Sequence, residues 1–278
     1  MTIIPVYNKK LCEEGRILRK VWFSLFTVCT IMLSAIEIEP LPKNATLSDV
    51  LYVNCLQVTQ EQQLLKTYIL SGMSLRYKSP KKELSEALGS YEERLHKTVH
   101  FFQKKVQDKR LKSELDAVLQ RWKEVRSILE KKPEKSKVPI LKKHLDFISK
   151  VLVTVHKRLG KKGLNVIAVT GGLCRGPFYI ANLYFMKTWG VPVKDYDKKM
   201  AKYRAEYEKR LAVLENYPKN TEEIKRYIHK AKAAFSLMNE YIKNSHKVFV
   251  PALISQKSDR NFQYILHIKN LYGKLAQH

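Results

Sequence analysis

Glycine is scarce in this sequence, with ten residues in 278. A protein built on many βα turns uses glycine at most of them, so this scarcity argues against an α/β fold. Strand-type alternation of apolar and polar residues is also absent over any long stretch, which argues against a β-sheet protein. The composition therefore favours helices.

Cysteine is scarce too, and the patterns typical of active sites are missing. None of the four cysteines has the Cys-x-x-Cys or Cys/His spacing of a zinc site. No Ser-His-Asp set, carboxylate pair or Gly-Lys-Ser/Thr loop stands out. Glu92, His96 and His100 lie four residues apart, which we interpret as the polar flank of a helix. We therefore expect no enzymatic activity, no cofactor and no metal.

Acidic residues are half as numerous as basic ones. The chain has 26 Asp and Glu against 52 Lys and Arg, a formal charge of +26. Such a surface favours anionic partners, namely nucleic acid, anionic lipid, cell-wall polymer or small anions. Because the basic residues are spread along the chain, a solvated helical surface without such a partner is an equal alternative.

The first 40 residues differ in composition from the rest. Basic residues precede an apolar run over 21–36, and an acidic segment with prolines follows it. This three-part layout is typical of a secretory signal, and Ser34 and Ala35 are small enough for cleavage. We therefore predict a signal peptide over 1–35 and a periplasmic protein. The run is shorter than the ~20 residues of a membrane span, and a single uncleaved anchor is the alternative.

Export would determine where the mature chain begins and which cysteines it keeps. Translation starting near Leu18 is a further hypothesis, because TTG can encode this residue and a ribosome-binding sequence can encode residues 13–15. After cleavage only Cys55 and Cys174 would remain. A disulfide between them and two free thiols are both open in an oxidising compartment.

Three stretches have the apolar periodicity of amphipathic helices. They span 81–106, 109–132 and 138–159. The first carries one stripe at spacings of three and four, formed by Leu84, Leu88, Tyr91, Leu95, Val99, Phe102 and Val106. Prolines punctuate the chain between such stretches, at Pro80, Pro133, Pro192 and Pro218. We therefore predict helices from Thr46 onward.

The sequence also contains an internal repeat. A shift of 116 residues aligns 68–95 with 184–211 without a gap. The alignment pairs Tyr91 with Tyr207, Arg94 with Arg210 and, after a three-residue gap, Trp122 with Phe235. We therefore predict an all-α fold of two tandem up-down four-helix-bundle units, over 46–160 and 161–278, joined by a long or kinked helix.

The stretch NVIAVTGGLCRGPFYIANLY, residues 165–184, looks at first like a dinucleotide-binding loop. A short-chain dehydrogenase would need Thr-Gly-x-x-x-Gly-x-Gly, and Arg175 stands where the second glycine belongs. Glycine is needed there because the backbone approaches the pyrophosphate closely. The repeat instead aligns this stretch with the glycine-free residues 49–68. We predict the first helix of the second unit, bent near Pro177.

Several segments match a known helical motif of the form Gly-x-x-Arg-Met-Leu-x-Gln-Lys/Arg-x-x-Lys-x-Tyr, followed later by a helix with a central Trp. QQLLKTYIL (62–70) looks like the end of the motif, and LDAVLQRWKEVRSIL (115–129) looks like the Trp helix. GLCRGPFYIANLYF (172–185) retains Gly172 and Arg175. The unit thus resembles the N-terminal sensory domain of type IV pilus methyl-accepting transducers, and it is similar to the periplasmic domain of nitrate/nitrite sensor kinases.

The resemblance implies a sensory module that binds a small anion such as nitrate or nitrite, or that contacts an envelope signalling protein. It also implies a homodimer, because the family's anion site lies between protomers and uses an arginine of this helix. In the first unit Cys55 and Val58 stand near the family's Gly and Arg. Arg175, with Gly172 beside it, is therefore the candidate ligand-binding pair.

Three functions remain open from the sequence. The first is the exported, non-enzymatic sensory module, in which Lys187 and Arg204 are weaker candidate ligands than Arg175. The second is a structural basic periplasmic protein that contacts anionic envelope polymers. The third is a cytoplasmic nucleic-acid-binding protein, which the signal-like segment disfavours because an exported protein does not meet the genome.

Overall fold

Eight α-helices dominate the part of the chain that the computed structural model describes, which is residue 41 and residues 44–75, 79–160, 165–245 and 250–275. In chain order they are α1 Leu47–Gly72, α2 Pro80–Lys105, α3 Lys109–Leu129, α4 Val138–Leu159, α5 Asn165–Trp189, α6 Tyr196–Glu215, α7 Glu222–Lys243 and α8 Pro251–Leu275. A short 3-10 helix, Lys135–Lys137, precedes α4, and these ranges contain no strand. The prediction of an all-α fold is confirmed.

The predicted signal peptide over 1–35 and the hypothetical start near Leu18 lie outside the described residues. So does the junction at 161–164, where we predicted the second unit to begin. Within the described ranges, no helix combines the length and the apolar character that a membrane span requires.

Local sequence signals determine where the helices begin and end. Thr46 and Asp49 form a capping box at the start of α1, in which the Thr46 amide donates to the Asp49 carboxylate at 2.8 Å. The Asp108 side chain caps α3, and Thr221 caps α7. Gly190 ends α5 with a φ of 78°, a left-handed conformation that glycine adopts without strain.

Two helices, α1 and α5, have more neighbours than the others. The first packs against α2, α4 and α5, and the second packs against α1, α6 and α8. The outer helices follow one another: α2 packs on α3, α3 on α4, α6 on α7 and α7 on α8. As a result, every residue of α1 from 56 to 70 is buried.

The buried part of α1 is unusually polar. Within 56–70 it contains Gln57, Thr59, Gln60, Glu61, Gln62, Gln63, Lys66 and Thr67. Burying such groups is unfavourable unless they find partners, and several do so on neighbouring helices. Thr98 donates to the Gln57 side chain at 3.2 Å, and Arg94 donates to that of Gln60 at 2.6 Å. Polar pairing therefore contributes to how α1 is held.

The glycine-rich stretch forms one helix, α5, with Pro177 inside it. Its glycines face neighbouring helices. Gly171 lies against Cys55 of α1, Gly172 lies under the guanidinium of Arg210, and a Cβ atom at Gly176 would be 2.6 Å from Cδ2 of Tyr207. These glycines therefore allow α1 and α6 to approach the α5 backbone.

Gly176→Ala is expected to destabilise the protein by about 1–3 kcal/mol, because the added methyl group overlaps a ring that cannot move away easily. The Tyr207 ring is buried, stacks on Phe235 at 4.0 Å between centroids, and its hydroxyl donates to Asn261 at 2.8 Å. Urea unfolding followed by circular dichroism would measure the change.

Gly89→Ala is the matched control, since Gly89 lies inside α2 and an added Cβ would have no atom within 4 Å apart from its chain neighbours and the backbone of its own helix. There the greater helix propensity of alanine should stabilise the protein by about 0.5–1 kcal/mol. Shifts of the same sign in both variants would contradict the close approach of α6 to Gly176.

Candidate functional site

A cleft of about 630 Å³ opens between α4, α5 and α6. Both residues of the predicted ligand-binding pair, Gly172 and Arg175, line it. The other lining residues are Asp146, Ser149, Lys150 and Val153 from α4, Gly176 and Tyr179 from α5, and Lys202, Tyr203, Glu206, Tyr207 and Arg210 from α6. We refer to it as the Arg175 cleft.

Helical spacing explains why these side chains share a cleft. On each of the three helices the lining residues recur at intervals of three and four, so that they form one face per helix. The two glycines of α5 make more room on one side of the cleft, because Gly172 and Gly176 leave the space into which Arg210 and Tyr207 project. A residue with a side chain at either position would narrow the cleft.

The charges of the Arg175 cleft are predominantly positive. Glu206 lies 3.9 Å from Lys202, and Asp146 pairs with Lys142 on α4, so both carboxylates have a cationic neighbour. Three further cations, Arg175, Lys150 and Arg210, form no ion pair within the described part of the chain. The cleft therefore offers unpaired positive charge, of which Arg175 is the least exposed source.

Hydroxyl groups add hydrogen-bond donors to the same walls. The rings of Tyr179 and Tyr203 stack with centroids 5.0 Å apart and 17° between planes. Burial raises the pKa of Tyr179 to about 12, so this hydroxyl keeps its proton at neutral pH. The Tyr207 hydroxyl already donates to Asn261. Tyr179 and Tyr203 are thus the tyrosines whose hydroxyl groups can donate a hydrogen bond to a bound ligand.

A buried carboxyl group, that of Glu61, lies behind the cleft. The Tyr91 hydroxyl donates to it at 2.9 Å, and the hydroxyl of Ser149, a cleft residue, donates to its other oxygen. Burial raises the pKa of Glu61 to about 8, although both hydrogen bonds and the charge of Arg175 favour the ionised form. Glu61 does not stand out in the sequence, because nothing in the local pattern distinguishes it from a surface glutamate.

The weaker candidates, Lys187 and Arg204, lie elsewhere. They line a separate cleft of about 400 Å³, where the Lys187 ammonium sits 4.1 Å from the centroid of the Tyr196 ring. The structure does not bring them together with Arg175. Cys55 and Cys174 are both free thiols. Among the described residues, no group of three or more His, Cys, Asp or Glu side chains is arranged to hold a metal ion.

Comparison with known proteins found no matching family model, no matching curated protein and no matching solved structure. The resemblance to transducer and nitrate-sensor domains therefore remains a prediction from the sequence motifs. The chemistry of the Arg175 cleft is the basis on which a function can be assigned.

Proposed function

We propose that this chain is a non-enzymatic sensory or ligand-binding module that recognises a small anion in the Arg175 cleft. One observation carries the proposal. Arg175 is half-buried, lines a cleft of about 630 Å³ and forms no ion pair with any described residue. A half-buried guanidinium that forms no ion pair is a favourable site for an anion.

The surrounding groups indicate which anions fit. A planar oxyanion such as nitrate, nitrite or a carboxylate can accept two parallel hydrogen bonds from a guanidinium. Lys150 and Arg210 add positive charge, and Tyr179 adds a neutral donor. The positive field of the whole chain, at +26, would also raise the local concentration of anions.

We further propose that the chain arose by duplication and consists of two tandem four-helix units. Two buried aromatic pairs support this idea. Tyr91 packs on Trp122 with centroids 4.5 Å apart, and the residues aligned with them, Tyr207 and Phe235, pack at 4.0 Å. In both units the tyrosine hydroxyl donates to a buried side chain.

The duplication would explain why the cleft opens beside α5 and α6 of the second unit and, within the described residues, has no counterpart beside the equivalent helices of the first. The shift of 116 residues aligns Gly172 with Leu56 and Gly176 with Gln60. Leu56 and Gln60 are fully buried, and Arg94, the counterpart of Arg210, bonds to Gln60. In the first unit, side chains thus fill the volume that glycines leave open in the second unit.

A periplasmic location belongs to the same proposal. The location rests on the signal-like composition of residues 1–35. In the periplasm we expect the protein to contact an envelope signalling protein and to form a homodimer. The intact mass of native protein from a periplasmic extract tests the location. A mass that corresponds to a start near Ile36 would support export, and a full-length mass found only in the cytoplasm would contradict it.

Arg175→Ala is expected to weaken anion binding by about 10- to 100-fold, because hydrogen bonds to charged groups contribute about 1.5–3 kcal/mol. Isothermal titration calorimetry with nitrate, nitrite and acetate in a buffer of low ionic strength would measure it. Arg260→Ala is the matched control, since Arg260 is exposed on α8 and does not line the cleft.

A second candidate function, contact with anionic envelope polymers, is favoured by the excess of 52 basic over 26 acidic residues. It predicts equal and small losses of polyanion binding for the two arginine variants. Unchanged small-anion affinity in Arg175→Ala would remove the Arg175 cleft from the functional account and favour a polyanionic partner instead.

A further inference from the structure

The Cys55 thiol lies where four helices approach one another. Its Sγ atom on α1 is 3.8 Å from Nδ1 and 3.9 Å from Nε2 of His156 on α4. On α5, Gly171 has no side chain, and a Cβ there would be 3.2 Å from Sγ. From α8, the Lys269 ammonium donates to the Tyr52 carbonyl, one turn before Cys55, at 3.0 Å. The thiol thus contacts an imidazole, and a buried cation bonds to the backbone one turn away.

Two of the groups that act on Cys55 are cationic, namely Arg175 from α5 and Lys269 from α8. The others are the imidazole of His156 from α4 and the neutral thiol of Cys174 on α5. Burial opposes ionisation of the thiol, but the charge of Lys269, the contact with His156 and the charge of Arg175 outweigh it and lower the pKa of Cys55 to about 7. Cys55 nevertheless keeps part of its surface exposed.

Cys174 provides a comparison within the same molecule. It follows Gly171 by one helical turn on α5, so it lies close to Cys55 and shares the influence of Lys269. It is completely buried, and burial raises the pKa of its thiol to about 12. The two thiols therefore differ in exposure and in their contact with His156.

We propose that Cys55 and His156 form a nucleophilic thiol site that is oxidised by small hydroperoxides. The Cys55 thiol gives its proton to His156, and the thiolate sulfur attacks the terminal oxygen of the hydroperoxide. An S–O bond forms as the O–O bond breaks, and the leaving oxygen takes the proton from His156. The sulfur is oxidised to sulfenic acid, and the hydroperoxide is reduced to an alcohol, or to water in the case of hydrogen peroxide. The change is a stoichiometric modification of this chain.

The site selects its reagent by size. Cys55 is only partly exposed between packed helices, which favours hydrogen peroxide and short alkyl hydroperoxides over bulky ones. The glycine at 171 lets the α5 backbone pack closely beside the sulfur, because a Cβ atom there would lie only 3.2 Å from Sγ. The charge of Arg175 acts on Cys55 as well as in the cleft, but neither Cys55 nor His156 lines the cleft, so a His156 variant tests the thiol site separately from anion binding.

Alkylation by iodoacetamide between pH 5 and 9 tests whether the Cys55 thiol is activated. Peptide mass spectrometry would follow the reaction of each cysteine. In the folded protein we expect Cys55 to react with a midpoint near pH 7 and at least about 10-fold faster at that pH than Cys174. His156→Gln should raise the midpoint and slow the reaction at pH 7 by about 10-fold. His100→Gln, on an exposed position of α2, is the matched control.

Treatment of the protein with hydrogen peroxide, followed by labelling with dimedone, tests whether Cys55 is oxidised. A dimedone adduct on Cys55, with none on Cys174 and less in folded His156→Gln, is the expected result. Circular dichroism establishes that each variant is folded. The proposal is overturned if Cys55 reacts only after denaturation, if its midpoint stays near 9 with or without His156, or if the dimedone adduct is absent from Cys55.

Discussion

Glu61→Gln is expected to remove a pH dependence of stability on the order of 4 kcal/mol between pH 5 and 9. Burial raises the pKa of Glu61 from about 4.5 to about 8. Between these values the folded protein holds a proton that the unfolded chain has released. Folding stability from this group is therefore greatest at low pH and is lost as the pH rises toward 8. Glutamine stays neutral and can still accept the hydrogen bond from Tyr91.

Urea unfolding followed by circular dichroism at pH 5, 6, 7, 8 and 9 would measure this effect as a difference between wild type and variant. Titration of the histidines affects both proteins and cancels in the difference. The control is Glu86→Gln on α2, an exposed carboxylate that lies 3.7 Å from Lys82. Parallel stability curves for wild type and Glu61→Gln would show that Glu61 is ionised in the folded protein, contrary to this expectation.

Asp259→Asn is expected to destabilise the protein by about 3 kcal/mol, because it leaves a buried ammonium group without its carboxylate. Lys66 is 1% exposed and Asp259 is 13% exposed, and the two form an ion pair between α1 and α8. The Lys66 ammonium also lies 5.1 Å from the centroid of the Phe178 ring. The aromatic face alone compensates the charge only in part.

The double variant Lys66→Met with Asp259→Asn separates the loss of the pair from the cost of the remaining charge. Methionine fills a similar volume without a charge, so the double variant should recover most of the stability that Asp259→Asn loses. Thermal unfolding at pH 7 would compare the three proteins. A double variant no more stable than the single one would mean that the buried ammonium is not the source of the loss.

The outer helices could be predicted from the sequence because each buries one stripe. The periodicity indicated helices over 81–106, 109–132 and 138–159, and the ends of α2, α3 and α4 differ from these ranges by at most three residues. An apolar stripe indicates that one side of a helix is buried, and in this protein that side of each outer helix packs against the core.

The complete burial of the inner helix α1 could not be predicted from periodicity. Residues such as Gln60, Glu61 and Lys66 would normally indicate a solvent-facing surface, yet they are fully buried. Their partners, including Arg94, Tyr91 and Asp259, come from other helices. Local periodicity says nothing about such partners, so only the three-dimensional arrangement shows that these polar side chains are internal.

The site was predictable only where a motif existed. Gly172 and Arg175 stood out in a Gly-x-x-Arg pattern, and both line the cleft. Lys150 comes from a different helix, and its position depends on the register between helices, which the sequence does not reveal. Arg210 was at least marked by the repeat, through its alignment with Arg94.

The burial of α1 has a consequence for synthesis on the ribosome. Its partners Asp259 and Asn270 follow Lys66 and Tyr52 by 193 and 218 residues. At about 5–20 residues per second, α1 waits on the order of 10 to 40 s before the last of its neighbours is made. A wholly apolar helix would be exposed to aggregation during that interval. We expect the glutamines and charges that are internal in the finished protein to keep the nascent segment soluble.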